Sequence, residues 1–109
     1  MHEMSITQSI VDAVADRLPD ARVVGVRLEI GTLAGVVVDS VRFCFDLVTE
    51  GTNLEGARLE ISEPPGLCSC RVCGVNFEPS GPIAICPCGS AEVTVLAGQD
   101  LKITSVQVG

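Results

Sequence analysis

The donor chemistry of this 109-residue chain sits in six cysteines and one histidine. Five of the cysteines fall between Cys68 and Cys88, in two clusters parted by the twelve residues Gly74 to Ile85. Each cluster ends in Cys-Gly, as Cys73-Gly74 and Cys88-Gly89. That suits a metal knuckle, in which the chain turns tightly and backbone N–H groups point back at thiolates. Tetrahedral Zn²⁺ takes four soft ligands, and two short Cys pairs on facing turns supply them. The spacing makes Cys70, Cys73, Cys86 and Cys88 the zinc ligands. The second pair, Cys86-Pro87-Cys88, is one residue shorter than Cys-x-x-Cys, a tight chelate that the fixed φ of proline can support. Cys68 is a fifth thiol two residues before Cys70 and an alternative zinc ligand. A disulfide staple ranks below zinc, because it needs an oxidising compartment and the opening residues carry no secretory signal. Five unrelated buried thiols in so short a stretch rank lower still.

A second chemistry is open at the start, Met1-His2-Glu3. The Met1 α-amine, the His2 backbone nitrogen and a His2 ring nitrogen can fill adjacent corners of a square. Ni²⁺ and Cu²⁺ favour such a nitrogen-rich tetragonal set, and Zn²⁺ does not. Glu3 adds a further backbone nitrogen and a carboxylate. Read from three residues alone, a frayed terminus with a solvated His2 and with Glu3 near a helix N-terminus is the stronger alternative.

Composition narrows the field around these residues. Fourteen acidic side chains against seven basic ones give a formal charge of −7. That argues against nucleic acid, whose affinity comes largely from Lys and Arg on phosphates. Within the cysteine stretch, Arg71 and Phe77 are the lone basic and aromatic residues, fewer than a nucleic-acid zinc ribbon uses. No apolar run approaches the ~20 residues of a membrane span. The expectation is a cytoplasmic protein with no membrane partner. An apolar fraction of 47%, mostly Val, Ile, Leu and Ala, is ample for one small core.

The elements that must position these donors follow from periodicity. From Ser5, the positions Ile6, Ile10, Ala13, Val14 and Leu18 share a helical face, with Ser5 and Gln8 as a weak capping pair and Pro19 as the stop. Ala21 to Ile30 alternates, with Val24, Val26, Leu28 and Ile30 on one side and Val23, Gly25, Arg27 and Glu29 on the other. After the turn at Gly31 to Gly35, Asp39 precedes a second helical stripe of Val41, Cys44, Phe45 and Val48, closed by Gly51. Cys44 reads there as a small core residue and not a ligand. Ala57, Leu59 and Ile61 make a second strand, and Glu63-Pro64-Pro65-Gly66 breaks it. Val93 to Ala97 and Leu101 to Val108 read as a hairpin about Gly98-Gln99-Asp100, with a phase change near Thr104-Ser105 that suggests a β-bulge. The expected fold is α+β: a small sheet with two helices on one face and an inserted zinc-ribbon-like subdomain. Residues 1–65 and 91–109 would form one domain and residues 66–90 the zinc-binding subdomain.

The sequence resembles a known family over nearly its whole length, the hydrogenase nickel-incorporation accessory proteins of HypA/HybF type. The likeness rests on Met1-His2-Glu3, on the strand Gly25-Val26-Arg27-Leu28-Glu29-Ile30-Gly31, and on Arg42-Phe43-Cys44-Phe45-Asp46-Leu47-Val48 with Glu50-Gly51-Thr52. The cysteine region and Cys88-Gly89-Ser90 complete it. The resemblance implies a cytosolic nickel metallochaperone that works with a GTPase of HypB type to load the [NiFe]-hydrogenase large subunit. It puts transported Ni(II) on His2 and Glu3 and structural Zn(II) on Cys70, Cys73, Cys86 and Cys88. Asp39, at the start of the second helix, becomes a candidate further nickel ligand, with helix capping as its other role. The shortened Cys86-Pro87-Cys88 departs from the family's pattern. A homodimer is compatible with the resemblance, as is either hydrogenase or urease as the client.

No Ser/His/Asp set and no phosphate loop is present, which fits a carrier without turnover. The competing function is a zinc-ribbon interaction module that recruits a protein and never handles nickel. A thiol oxidoreductase using Cys70-Arg71-Val72-Cys73 is disfavoured, because redox motifs of that spacing open a helix after a strand.

Overall fold

A computed structural model describes residues 2–80 and 83–109. The elements run α1 (His2–Arg17), β1 (Val23–Ile30), α2 (Val38–Val48), β2 (Arg58–Ser62), β3 (Leu67–Cys70), β4 (Asn76–Phe77), β5 (Val93–Ala97) and β6 (Leu101–Val108). The strands form two three-stranded sheets, β2-β1-β6 and β4-β3-β5. The chain divides into two compact units, one of Met1–Leu28, Val36–Ile61 and Lys102–Gly109, the other of Glu29–Gly35 and Ser62–Leu101.

In the first unit α1 packs on α2, and most of the large buried side chains of the protein lie here. Ile10, Val11 and Val14 of α1 are buried, as are Val41, Cys44 and Phe45 of α2 and Val23, Val26 and Leu28 of β1. Full burial of a side chain such as Phe45 contributes about 1.5–3 kcal/mol, so this core needs no metal to hold it. Cys44 takes the core position its spacing assigned. Two details differ from the sequence pattern. Val23 is buried and Val24 is exposed, the reverse of the alternation, because the strand opens against the 52–56 loop, where Val23 N–H donates to the Asn53 carbonyl at 3.0 Å. Helix α1 also starts at His2, a turn earlier than Ser5. Ser5 therefore lies inside the helix, and Gln8 donates to Asp12 at 2.9 Å instead of capping.

The second unit holds the cysteines. β3 pairs antiparallel with β4, Cys68 opposite Phe77, and with β5, Cys70 opposite Val93. The hairpin expected from residues 93–108 does not form: β5 joins β3, and β6 joins β1. The chain between them has other partners, since Leu33 N–H donates to the Gly98 carbonyl at 2.8 Å and Gly31 N–H to the Asp100 carbonyl at 2.9 Å. Alternation shows where strands lie but not which neighbours complete their ladders.

Gly31 and Gly98 meet at this crossing. A Cβ on Gly31 would overlap the Gly98 carbonyl group, and Gly98 itself holds a φ of +93°. Neither position has a flexible side chain that can move aside. Gly31→Ala should therefore lower stability by about 1–3 kcal/mol, the usual cost of overpacking backbone against backbone. Chemical denaturation of the zinc-loaded protein checks this, and a change below about 0.5 kcal/mol would contradict the crossing.

Candidate metal centres

The cysteine centre is built by two turns. The first follows β3: Gly74 N–H donates to the Cys70 carbonyl at 3.0 Å, while the Val72 and Cys73 N–H groups both point at Cys70 Sγ at 3.4 Å. The second repeats the device around proline, with Gly89 N–H on the Cys86 carbonyl at 2.8 Å and Cys88 N–H on Cys86 Sγ at 3.5 Å. Both closing glycines have positive φ, +78° at Gly74 and +95° at Gly89, which is why each cluster ends in Cys-Gly.

These turns bring Cys70, Cys73, Cys86 and Cys88 together, with all four sulfurs within 4.8 Å of one another. Cys70 Sγ lies 3.8 Å from Cys88 Sγ, and Cys73 Sγ 3.5 Å from Cys86 Sγ. A tetrahedron with Zn–S bonds of ~2.3 Å has S···S edges of about 3.8 Å, so the donor set fits zinc with little adjustment. The one-residue-shorter Cys86-Pro87-Cys88 closes the site as well as Cys70-Arg71-Val72-Cys73 does. All six cysteines are free thiols, so no disulfide is present.

The thiols differ before any cation is added. The Cys73 N–H above all, with the Val72 N–H and the Cys73 and Cys86 side chains, holds Cys70 below the ordinary thiol value at about 6, against the upward push of burial. At Cys86 the Cys88 N–H pulls down. Burial and the neighbouring Cys88, Cys73 and Cys70 thiols outweigh it and push Cys86 up to about 12. Thiolates this close repel, and a divalent cation removes that repulsion. Zinc bound here would stabilise the thiolate form and tie the two turns together.

Cys68 is fully buried in β3, two residues before Cys70, and is not one of the four clustered sulfurs. Spacing ranked it behind that set as an alternative ligand, and its place opposite Val95 and Phe77 in the ladders sets it apart.

At the chain start, His2 is exposed in the first turn of α1. The first N–H groups of a helix have no intrahelical acceptor, so the backbone nitrogens of His2 and Glu3 are not tied into the α1 ladder. The Met1 amine lies outside the described residues. Glu3 Oε2 accepts from Val37 N–H at 3.3 Å. Val37 is the N-cap of α2 and contributes no side-chain cap of its own, so Glu3 supplies one from the neighbouring helix. Asp39 sits exposed in the first turn of α2, not at the cap. Carboxylates thus stand at both helix N-termini, where the helix dipoles favour them. Among the described residues His2, Glu3 and Asp39 do not form a side-chain cluster like that of the cysteines. The link from Glu3 to Val37 was invisible in the sequence, since the two are 34 positions apart.

An α+β fold with a four-thiolate zinc site and a donor-bearing chain end defines a small metal-handling protein. The family model for hydrogenase/urease nickel incorporation, metallochaperone, hypA matches residues 1–108, and the chain belongs to this family of nickel metallochaperones. The hydrogenase maturation factor HypA of Nostoc punctiforme is 47% identical over 108 residues, covering 99% of this chain and 96% of that protein. The hydrogenase maturation factor HypA of Geobacter metallireducens is 45% identical over 109 residues, covering 99% of each. The solution structure of the Ni metallochaperone HypA from Helicobacter pylori superposes with a TM-score of 0.64 at 19% identity, covering 97% of this chain and 96% of that one. This last likeness shows the fold.

The centre leads to a direct expectation. The second unit buries Cys68, Cys70 and Cys86 but few large apolar side chains, so metal must contribute much of its stability. Cys73→Ser and Cys86→Ser should each lose zinc and loosen residues 67–90, leaving the helices intact. Cys68→Ser should retain one zinc per chain. Metal analysis with amide exchange checks both, and zinc loss in Cys68→Ser would overturn the ligand set.

Proposed function

We propose that the chain carries Ni²⁺ on its N-terminal end and delivers it for maturation of a [NiFe]-hydrogenase, with zinc as a structural ion. The observation that carries the reading is the state of the first helical turn. His2 is exposed, the early amide nitrogens are outside the α1 ladder, and Glu3 is anchored at the start of α2. The His2 ring and the His2 and Glu3 amide nitrogens, completed by the Met1 amine, make a nitrogen set that suits square-planar Ni²⁺. The carboxylates of Glu3 and Asp39 offset the positive helix ends that would otherwise repel a cation, and either can serve as a further ligand.

In this reading nickel is handled by the helical unit and zinc by the cysteine-bearing unit, through Cys70, Cys73, Cys86 and Cys88. The chain performs no turnover of its own. It exchanges nickel with a GTPase of HypB type and the hydrogenase large subunit in the cytoplasm, and self-association into a homodimer is compatible with that work. Among the described residues no helix is long and apolar enough to cross a membrane. The hydrogenase maturation factors among its relatives favour hydrogenase over urease as the client.

The test is nickel affinity in two variants. His2→Ala removes the imidazole, and a Gly-Ser extension before Met1 moves the amine while keeping every side chain. Each should weaken nickel binding by at least about tenfold and keep its zinc. Binding should also fall on acidification, because protons compete for every nitrogen in the set. Unchanged affinity in His2→Ala would overturn nickel carriage by this end. Unchanged affinity in the extended protein alone would remove only the amine.

A further inference from the structure

Helix α2 is buried along one side only. Val41, Cys44 and Phe45 face the core, while Phe43 is 67% and Leu47 46% exposed. These two stand four residues apart, so on a helix they lie one above the other, about 6 Å between Cβ atoms, as a single apolar ridge. Single exposed apolar residues are common on any surface, but two large ones aligned on one helix face make a contiguous patch.

The ridge is framed by acids. Asp39 and Asp46 lie on the exposed part of α2, and Glu50 follows just past its end. The sole basic residue of the helix, Arg42, is turned away and donates to the Leu59 carbonyl at 3.2 Å. Among the described residues no salt bridge joins Asp39, Asp46 or Glu50 to a base. The same helix begins at Val37, where Glu3 of the nickel-bearing turn is hydrogen-bonded. The ridge is therefore continuous with the end that holds the cargo.

We infer that the outer face of α2 is the docking surface for a protein that exchanges nickel with this chain, and that this protein presents an apolar pocket bordered by lysine or arginine. The inference rests on the carrier reading above and adds the surface and the partner's chemistry. Phe43 and Leu47 fill the pocket, and the acids steer and orient a basic rim around it. A second copy of this chain does not suit the face. Symmetric pairing would set its acids against the same acids, in a molecule already at −7. Docking here brings the partner to the N-terminal end of α2, within reach of His2 and Glu3.

The experiment uses full-length zinc-loaded chain against two purified proteins of the same organism, the nickel-insertion GTPase and the hydrogenase large subunit. The combined variant Phe43→Ser, Leu47→Ser should weaken binding to at least one of them by about tenfold or more, with nickel affinity of the isolated chain unchanged. The charge reversal Asp46→Lys, Glu50→Lys should slow association and flatten its salt dependence. Unchanged affinity for both proteins in the serine variant would overturn the inference. So would binding of neither protein by the wild type, or a wild-type dimer that the serine variant dissociates. Should the serine variant unfold, the charge reversal decides, and an unaltered salt dependence rejects the face. Partner binding without nickel binding in the wild type would sink the carrier reading and leave the docking surface standing.

Discussion

Four sulfurs within 4.8 Å are the constraint on which the cysteine-bearing unit depends. As thiolates they repel, and as thiols they offer only weak donors and acceptors to one another. Around them the unit has little apolar material, and both turns spend their N–H groups on sulfur. Such an arrangement is stable when a cation accepts all four lone pairs, so folding of this unit and zinc binding are one equilibrium. The helical unit obeys a different rule. Its core is mostly Val, Ile, Leu and Phe side chains, with Cys44 among them, and it closes without a metal.

The nickel site proposed at the chain start would differ from the cysteine site as a carrier requires. A closed set of four soft thiolates retains its metal, since leaving means breaking four bonds inside a packed turn. The nitrogen set proposed at the exposed helix start would have no enclosing shell, and its metal would pass to another protein by stepwise ligand exchange. Preference follows from ligand type and not from affinity alone: sulfur in a tetrahedron suits Zn²⁺, and nitrogens in a plane suit Ni²⁺. Glu3 ties the first turn of α1 to α2, because its carboxylate accepts from Val37 N–H.

Much of this was legible in the sequence, because local chemistry determines it. Cys-Gly endings require tight turns, and Cys70, Cys73, Cys86 and Cys88 are brought together as their spacing indicated, the Cys86-Pro87-Cys88 departure included. The faces of α2 and most of β1 followed from periodicity. What escaped was set by distant partners. The separation of β5 from β6 depends on the Gly31–Gly98 crossing, the burial of Val23 on the 52–56 loop, and the cap on α2 on a glutamate 34 residues away. The early start of α1 went unread because Ser5 with Gln8 mimics a cap that the chain does not use. Phe43 falls outside the apolar stripe that periodicity assigned to α2, and it is exposed accordingly.

The central claim is that one chain holds two metals in two unlike donor sets. X-ray absorption at both edges of the zinc- and nickel-loaded protein measures this directly. The account predicts four sulfurs at ~2.3 Å around zinc, and a nickel centre of nitrogen and oxygen donors with no sulfur. Sulfur in the nickel shell, or fewer than four sulfurs around zinc, would contradict it.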